Sequence, residues 1–485
     1  MARLSLPGRP VEAQLSEANR LVLVDLPQPV VDLLARLAQH GHVAVLVGGC
    51  LRDLLRGVEP NDWDLATSAP PEEVAALFPD ASWENRFGTV TVLEPIRVEV
   101  TTFRLEGRYL DRRRPDEVRW GKTVEEDLAR RDFTINAVAW LPTDLESRAG
   151  RLVDPFGGAA DLRAGVLRAV GDPERRFEED ALRLLRAVRF VACLELQLDA
   201  QTEAAIRALA PTATSVSGER VRDELIRILA CGGSPSVAFV LMEKLGLLPV
   251  LFGELAALRG IPQGKALPGD ALEHSLRTAD ALPPSDPILR LAGLLHDLGK
   301  ATTMADGHFT GHEQVGVDLA EALMRRLRFG NAEIERVVHL VREHMFTYTP
   351  EWTDAAVRRF IRRVGAGSLD DLFALRRGDA IASGGEVKLD ELRRRVAAEV
   401  GRSPMEQSQL AIDGNDLQHR LGLEPGPLIG LILGRLLDSV IEQPALNDPE
   451  ELLRIAREML PGVDRTQRVA KTNQGDSGEP QDSRG

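Results

Sequence analysis

Two aspartates separated by one residue, Asp62 and Asp64, are the first side chains whose spacing suggests chemistry. In an extended NDWDLAT segment both carboxylates project from one face and Trp63 from the other. Two like charges that close need a cation between them, and hard oxygen donors suit Mg²⁺, which takes one or two carboxylates together with substrate phosphates. Upstream, GGCLRD sets Gly48 and Gly49 where a backbone turn can approach a phosphate, and the helix from Cys50 offers free N–H groups. Alone, each element also fits a polar strand edge or a tight turn. Together they describe a corner that holds a nucleoside triphosphate and its metal ions.

A second set lies in EEDALRLLRAVRF, where Asp180, Arg183, Arg186 and Arg189 recur every three residues as one polar stripe of a helix. Leu182, Leu184, Leu185, Val188 and Phe190 supply the buried side. An accepting Asp and a donating Arg are complementary to a base edge that offers an amine donor beside a ring-nitrogen acceptor. A base of the opposite pattern leaves buried groups unpaired, at about 1–3 kcal/mol each. The competing reading is a row of solvated ion pairs. A third set is histidine-rich: six of the nine histidines, His274, His296, His308, His312, His339 and His344, fall between positions 274 and 344. His296 and Asp297 adjoin at the end of an apolar helix in LAGLLHDLGK, where imidazole and carboxylate reach one metal; histidines serving only structure are the alternative.

The elements that must position these groups follow from periodicity. PVVDLLARLAQHG reads as an amphipathic helix closed by Gly41, HVAVLVGG as a buried strand ending in two glycines, CLRDLLRG as a helix and NDWDLAT as a second strand. FGTVTVL and RVEVTTF alternate as half-buried strands. From about residue 160 the pattern is helical, and in the C-terminal region GNDL caps one helix and EPGP ends another. This predicts an α+β N-terminal head with a small mixed sheet, followed by an all-α neck, body and metal-binding domain. The expected divisions are an extension over 1–26, the head over 27–168, a neck over 169–258, a histidine-bearing helical domain over 259–400, a C-terminal helical region over 401–462 and a disordered tail over 463–485.

Bulk properties narrow the class. With 485 residues and 44% hydrophobic side chains the chain can fill several cores, and no stretch approaches the roughly 20 apolar residues that span a bilayer. A soluble, cytoplasmic protein is expected, with no membrane partner. Cys50, Cys193 and Cys231 are odd in number and far apart, which fits reduced, mostly buried thiols better than a disulfide. The net charge of −14 argues against wholesale polyanion binding, yet basic patches exist. Arg104, Arg108, Arg112, Arg113, Arg114, Arg119, Lys122, Arg130 and Arg131 crowd one segment, and Arg175, Arg176, Arg183, Arg186 and Arg189 another. Either patch taken alone reads as a solvated face.

GGCLRDLLRG followed by DWDLAT, then RRDFTINAVAW, DPFGGAADL and RAVGDPERRFEEDALRLLRAVRF, resembles the bacterial class II CCA-adding enzymes and poly(A) polymerases of the DNA polymerase beta superfamily. The resemblance is specific over about residues 28–230 and looser to about 460. It implies Asp62 and Asp64 as Mg²⁺ ligands, and a nucleotide pocket with Gly48, Gly49, Arg52, Asp53, Arg131, Asp132 and Asn136. It also implies base recognition by Glu179, Asp180 and Arg183 with Arg186 and Arg189. Glu99 is a candidate third catalytic carboxylate or, equally, a surface residue of its strand. The segment TTFRLEGRYLDRRRPDEVRW resembles the family's flexible loop, whose presence tilts the expectation toward full CCA addition or addition of the terminal A. The implied reaction is transfer of C and A from CTP and ATP to the tRNA 3′ end. The alternatives are a terminal A-adding enzyme, a poly(A) polymerase, or a protein whose main activity lies in its C-terminal half. There, His274, His296, Asp297 and Asp379 resemble the ligand set of the HD phosphohydrolases, for an unidentified divalent transition metal. His312, His339 and His344 would be second-metal or phosphate-contacting groups.

Overall fold

The computed structural model describes residues 20–84, 88–93, 95–105, 119–305 and 308–460. The expected disordered tail and most of the N-terminal extension lie outside the described residues. So do Arg108, Arg112, Arg113 and Arg114 of the proposed flexible loop, and the side chain of Arg119. The chain forms two compact units, Met1–Val338 and His339–Gly485.

The first unit holds an eight-stranded sheet built from β1 (Arg20–Val22), β2 (Ala44–Val47), β3 (Trp63–Thr67), β4 (Ser82–Glu84), β5 (Thr89–Val92), β6 (Val98–Thr102), β7 (Ala139–Asp144) and β8 (Ala149–Val153). Their order is β1-β8-β7-β2-β3-β6-β5-β4. All neighbours are antiparallel except β3 and β6, which run parallel with Asp64 opposite Glu99. The sheet is therefore mixed, as expected. Both faces are covered, which is why all four residues of β2 are buried. One face packs Leu46, Trp63, Leu65, Val98 and Val100 against Val30, Leu34 and Leu37 of the Gln28–Gln39 helix. The other packs Val45, Val47 and Ala66 with Val124 and Leu128 of the Val124–Ala129 helix. Asp64 alternates with Trp63 and Leu65, so it stands on the second face.

Three local readings need correction. Gly48 and Gly49 do not end the strand but form the first turn of the Gly48–Leu55 helix. Asp62 precedes β3 and is exposed, one residue outside the strand that carries Asp64. Asp180 is not on the helix of Arg183: the Pro173–Glu179 helix stops there, Asp180 is extended at φ −151°, and its carboxylate accepts from Leu182 N to start the Leu182–Leu194 helix. A short polar side chain that bonds the backbone two residues on favours such a break over a helix interior.

The thiol expectation also fails. Cys193 and Cys231 form a disulfide, and Cys50 alone is free and buried. The two are 38 residues apart in sequence, but their Cα atoms are 5.5 Å apart. The Leu182–Leu194 and Gly218–Leu229 helices pack side by side and bring the end of one to the residues just after the other.

Beyond residue 160 the described chain is helical apart from a two-residue parallel pair, Val166–Leu167 with Gln197–Leu198. Among the described residues of the second unit every regular element is a helix. It has one core of Leu417, Ile432, Leu436, Val440, Leu452 and Leu453, and an aromatic cluster of Phe346, Trp352, Phe360 and Phe373. Asp413 caps the Gly414–Leu421 helix. That helix ends at Gly422, and Pro427 opens the next one, Pro427–Glu442, so EPGP leads into a helix where the sequence suggested an end.

Candidate active site

An open cavity of about 450 Å³ in the first unit is lined by Gly48, Gly49, Arg52, Asp64, Arg130, Arg131, Asp132, Asn136, Asp180, Arg183, Arg186, Arg189 and Phe190. Gly48 shows why its residue type is needed. It has φ +74°, and a Cβ there would stand 3.0 Å from Arg131 Nη1 and 3.2 Å from an Asp64 carboxylate oxygen. Any larger residue closes the corner where the strand carboxylate and the pocket arginine meet. Arg52, one turn on, donates to Asn136 Oδ1 at 2.9 Å and pairs with Asp53, which faces Arg52 and does not line the cavity.

The electrostatics divide the pocket. Burial, with Glu99 and Asp62 adding repulsion, pushes the Asp64 carboxyl up to about 6 even though Arg131 and Arg52 pull the other way. Asp62 and Glu99 stand outside the cavity lining, and Glu99 is paired with Arg97 at 2.7 Å. Asp62 and Glu99 repel Asp64 from outside the cavity, so its buried carboxyl is disfavoured as an anion, and oxygen donors of one sign are the chemistry that suits a hard divalent cation. The opposite wall is compensated. Burial alone would raise Asp132, but Arg186 at 2.7 Å and a hydrogen bond from Asn136 bring it down to about 2. Asp127 likewise resists burial because Arg131 and Arg130 grip it at 3.0 and 2.5 Å.

Arg183 is buried, and its guanidinium is fixed by Glu179 at 2.8 Å, the Arg176 carbonyl at 2.9 Å and the Arg130 carbonyl at 3.2 Å. Arg220 clamps Asp180 with two hydrogen bonds of 3.0 and 2.7 Å. Glu224, almost wholly buried, takes Arg189 at 2.5 Å and Arg186 at 3.6 Å. Arg176 and Arg183 are thus buried, Arg186 and Arg189 are half-buried against acidic partners, and only Arg175 of that patch keeps the solvated-face reading. Phe190 packs beneath the guanidinium of Arg189, 4.2 Å from ring centroid to carbon.

Sequence reasoning found most of the lining and missed its supports. Asp127, Arg220 and Glu224 were not singled out, nor were Arg130 and Phe190 as lining residues. The four-residue spacing of Arg220 and Glu224 in GERVRDEL puts both on one helix face, and that was the available signal.

The histidine-rich region gathers a second group in the first unit. His274, His296, Asp297 and His312 are all buried. His274, His296 and His312 place Nε2 at 3.5, 3.2 and 3.4 Å from Asp297 oxygens. His296 Nδ1 lies 2.7 Å from the Gly293 carbonyl, and His312 Nδ1 2.8 Å from that of Phe309. Such a bond leaves Nε2 as the ligating atom, so this donor set fits a transition metal. Burial opposes the Asp297 charge, but His296, His312 and Lys300 hold its carboxyl well below the usual range. His308 is exposed and forms a backbone bridge with Ala305. In the second unit Asp379 is buried and paired with Arg376, His339 bonds the Val364 carbonyl and His344 that of Val341.

Family models match at residues 44–168 (poly A polymerase head domain), 195–258 (probable RNA and SrmB-binding site of polymerase A) and 271–382 (HD domain). The A-adding tRNA nucleotidyltransferase of Deinococcus radiodurans is 35% identical over 82% of this chain and 91% of its own length. The CCA-adding enzyme of Lactobacillus helveticus is 34% identical over 89% of this chain and 96% of its own. The chain belongs to the class II CCA-adding enzyme and poly(A) polymerase family. Its fold is the family's: the crystal structure of the Bacillus stearothermophilus CCA-adding enzyme in complex with CTP superposes with a TM-score of 0.67 at 29% identity, covering 90% of this chain and 98% of that one. The matched head stops at residue 168, so the arginines of the Leu182–Leu194 helix that complete the pocket lie between two matched segments. Among the described residues no helix is long and apolar enough to cross a membrane.

Proposed function

We propose that the first cavity lengthens the 3′ end of tRNA with C and A, taken from CTP and ATP without a template. The chain is a tRNA nucleotidyltransferase, and the observation that carries the assignment is a single cavity joining Asp64 to Asp180 and Arg183. Asp62, Asp64 and Glu99 are the residues to hold Mg²⁺, which when bound lowers the pKa of the attacking hydroxyl and offsets charge on the departing pyrophosphate. Gly48, Gly49 and the first turn of their helix face the triphosphate, with Arg52 and Arg131 as its cationic partners. The tRNA 3′-oxygen forms the new bond to the α-phosphorus as the bond to pyrophosphate breaks. Arg183, held by three acceptors, and Asp180, held by Arg220, present a donor and an acceptor in fixed places to the base edge. Because neither can turn to suit uracil or guanine, the pocket rejects those bases at the energetic cost of unpaired groups. The tRNA substrate supports a cytoplasmic location.

A narrower reading, addition of only the terminal A, is favoured by the likeness to the Deinococcus protein along nearly its whole length. Incorporation of labelled CTP, ATP, UTP and GTP into tRNAs ending before CCA, after C and after CC separates the two. Completion of all three with CTP and ATP alone supports full CCA addition. Extension only of the CC-ended tRNA, by A, establishes the narrower activity, and extension of none refutes both. For the histidine cluster we propose a divalent transition metal held by His274, His296 and Asp297, serving hydrolysis of a phosphoester. We propose that the head ends at residue 168, the neck at 258 and the HD domain at 400, with an RNA-contacting region from there to 462.

A further inference from the structure

The histidine cluster carries a cation of its own. Lys265 Nζ lies 2.8 Å from His274 Nε2 and 3.5 Å from Nδ1. Lys300 Nζ lies 2.6 Å from Asp297 Oδ2 and 2.8 Å from Gln263 Oε1. An ammonium has donors and no acceptor, so its partner on His274 is the lone pair of a neutral imidazole. That lone pair is the one a metal ion needs.

The segment that delivers Lys265 is built to exchange. A bridge between Pro262 and Asp270 closes its ends. Asp270 is fixed there by Gly260 N at 2.8 Å, by Arg259 at 2.9 Å and by capping the Ala271–Asp280 helix through Glu273 N. Between these ends Ala266, Leu267, Pro268 and Gly269 are exposed, and only Gln263 and Lys265 turn inward. Gly264, at φ +59°, makes the turn before Lys265. The rim is therefore held while the tip has little buried surface to lose on moving.

We propose that Lys265 is a built-in competitor for the metal of the HD cluster: its ammonium occupies the His274 donor, and a divalent ion binds only by displacing it. The inference rests on the metal-binding reading of His274, His296 and Asp297 given above. Lys300 stays with Asp297 at the start of its short helix, whereas Lys265 leaves with the 263–269 tip.

The test uses the full chain carrying Asp64→Asn, so that the transferase carboxylates contribute less, and Co²⁺ as the probe, followed by visible absorbance of the histidine-bound ion. Lys265→Met should raise Co²⁺ affinity at least tenfold, and Lys265→Arg, which keeps the charge, should not. In the Lys265 protein Co²⁺ should speed amide exchange over residues 263–269, and His274→Ala should abolish the absorbance. Equal affinity of the Lys265 and Lys265→Met proteins, or tighter binding by Lys265→Arg as well, overturns the competition while leaving the metal site standing. No histidine-bound Co²⁺ in any variant overturns the metal site and the competition together.

Discussion

The two titratable clusters of the first unit solve the same problem in opposite ways. At the transferase cavity burial, with repulsion from Glu99 and Asp62, pushes the Asp64 carboxyl up to about 6 against the pull of Arg131 and Arg52. At the histidine cluster Asp297 is more deeply buried yet held well below the usual range, since His296, His312 and Lys300 surround it. The open cavity leaves room for substrate phosphates and ions that arrive together. The buried cluster already sets Lys300 against Asp297 and Lys265 against His274, so an ion that enters meets internal partners. A buried acid is thus informative about function only when its compensation is traced residue by residue.

Stability measured with metal chelated should expose that difference most strongly. Asp297→Ala strands Lys300 and two histidines in the interior and should cost roughly 3–5 kcal/mol. Asp64→Asn should stabilise the chelated protein by about 3 kcal/mol at pH 8. The sign follows from a carboxyl whose folded pKa lies above its unfolded one: its favourable contribution is complete below about pH 4 and is lost as pH rises through about 6. The gain should therefore vanish at pH 4 in chelator melts. A stabilising Asp297→Ala or a destabilising Asp64→Asn would remove the contrast.

A smaller effect sharpens the same comparison inside the transferase cavity. Arg220→Ala frees the Asp180 carboxylate from its clamp and should reduce discrimination of CTP and ATP against UTP and GTP by roughly 10–100-fold, with less effect on total incorporation of correct nucleotide. Relative kcat/KM for the four nucleotides measures it, and unchanged discrimination would show that Asp180 needs no positioning. Smaller still is the compensated wall. Asp132 sits at about 2 in the folded protein, so its contribution of about 2 kcal/mol is present above pH 4 and is lost as pH falls toward 2. Asp132→Asn should flatten acid unfolding across that window.

Much of this was legible in the sequence, for identifiable reasons. In RVEVTTF Glu99 alternates with Val98 and Val100, which is legible because period-2 geometry is local, and the register sets it opposite Asp64. The arginines of RLLRAVRF were legible as a stripe. That Asp180 belongs to a break before their helix was not, because the stabilising partner, Arg220, is 40 residues away. The Cys193–Cys231 pair escaped for the same reason: only packing of two helices brings the residues together. Lys265 lay in a segment readable as a Gly- and Pro-bearing boundary, and no local pattern says that its side chain turns inward to His274.

The most direct test of the central claim, that nucleotide addition belongs to the Asp64 cavity and not to the histidine cluster, is to compare Asp64→Asn and Asp297→Asn in tRNA extension by labelled CTP and ATP. Both should be assayed at a temperature where each is folded by circular dichroism. The account predicts loss of extension by on the order of 10³-fold or more for Asp64→Asn and near-normal extension for Asp297→Asn. Extension that survives Asp64→Asn, or that is abolished in folded Asp297→Asn, would contradict it.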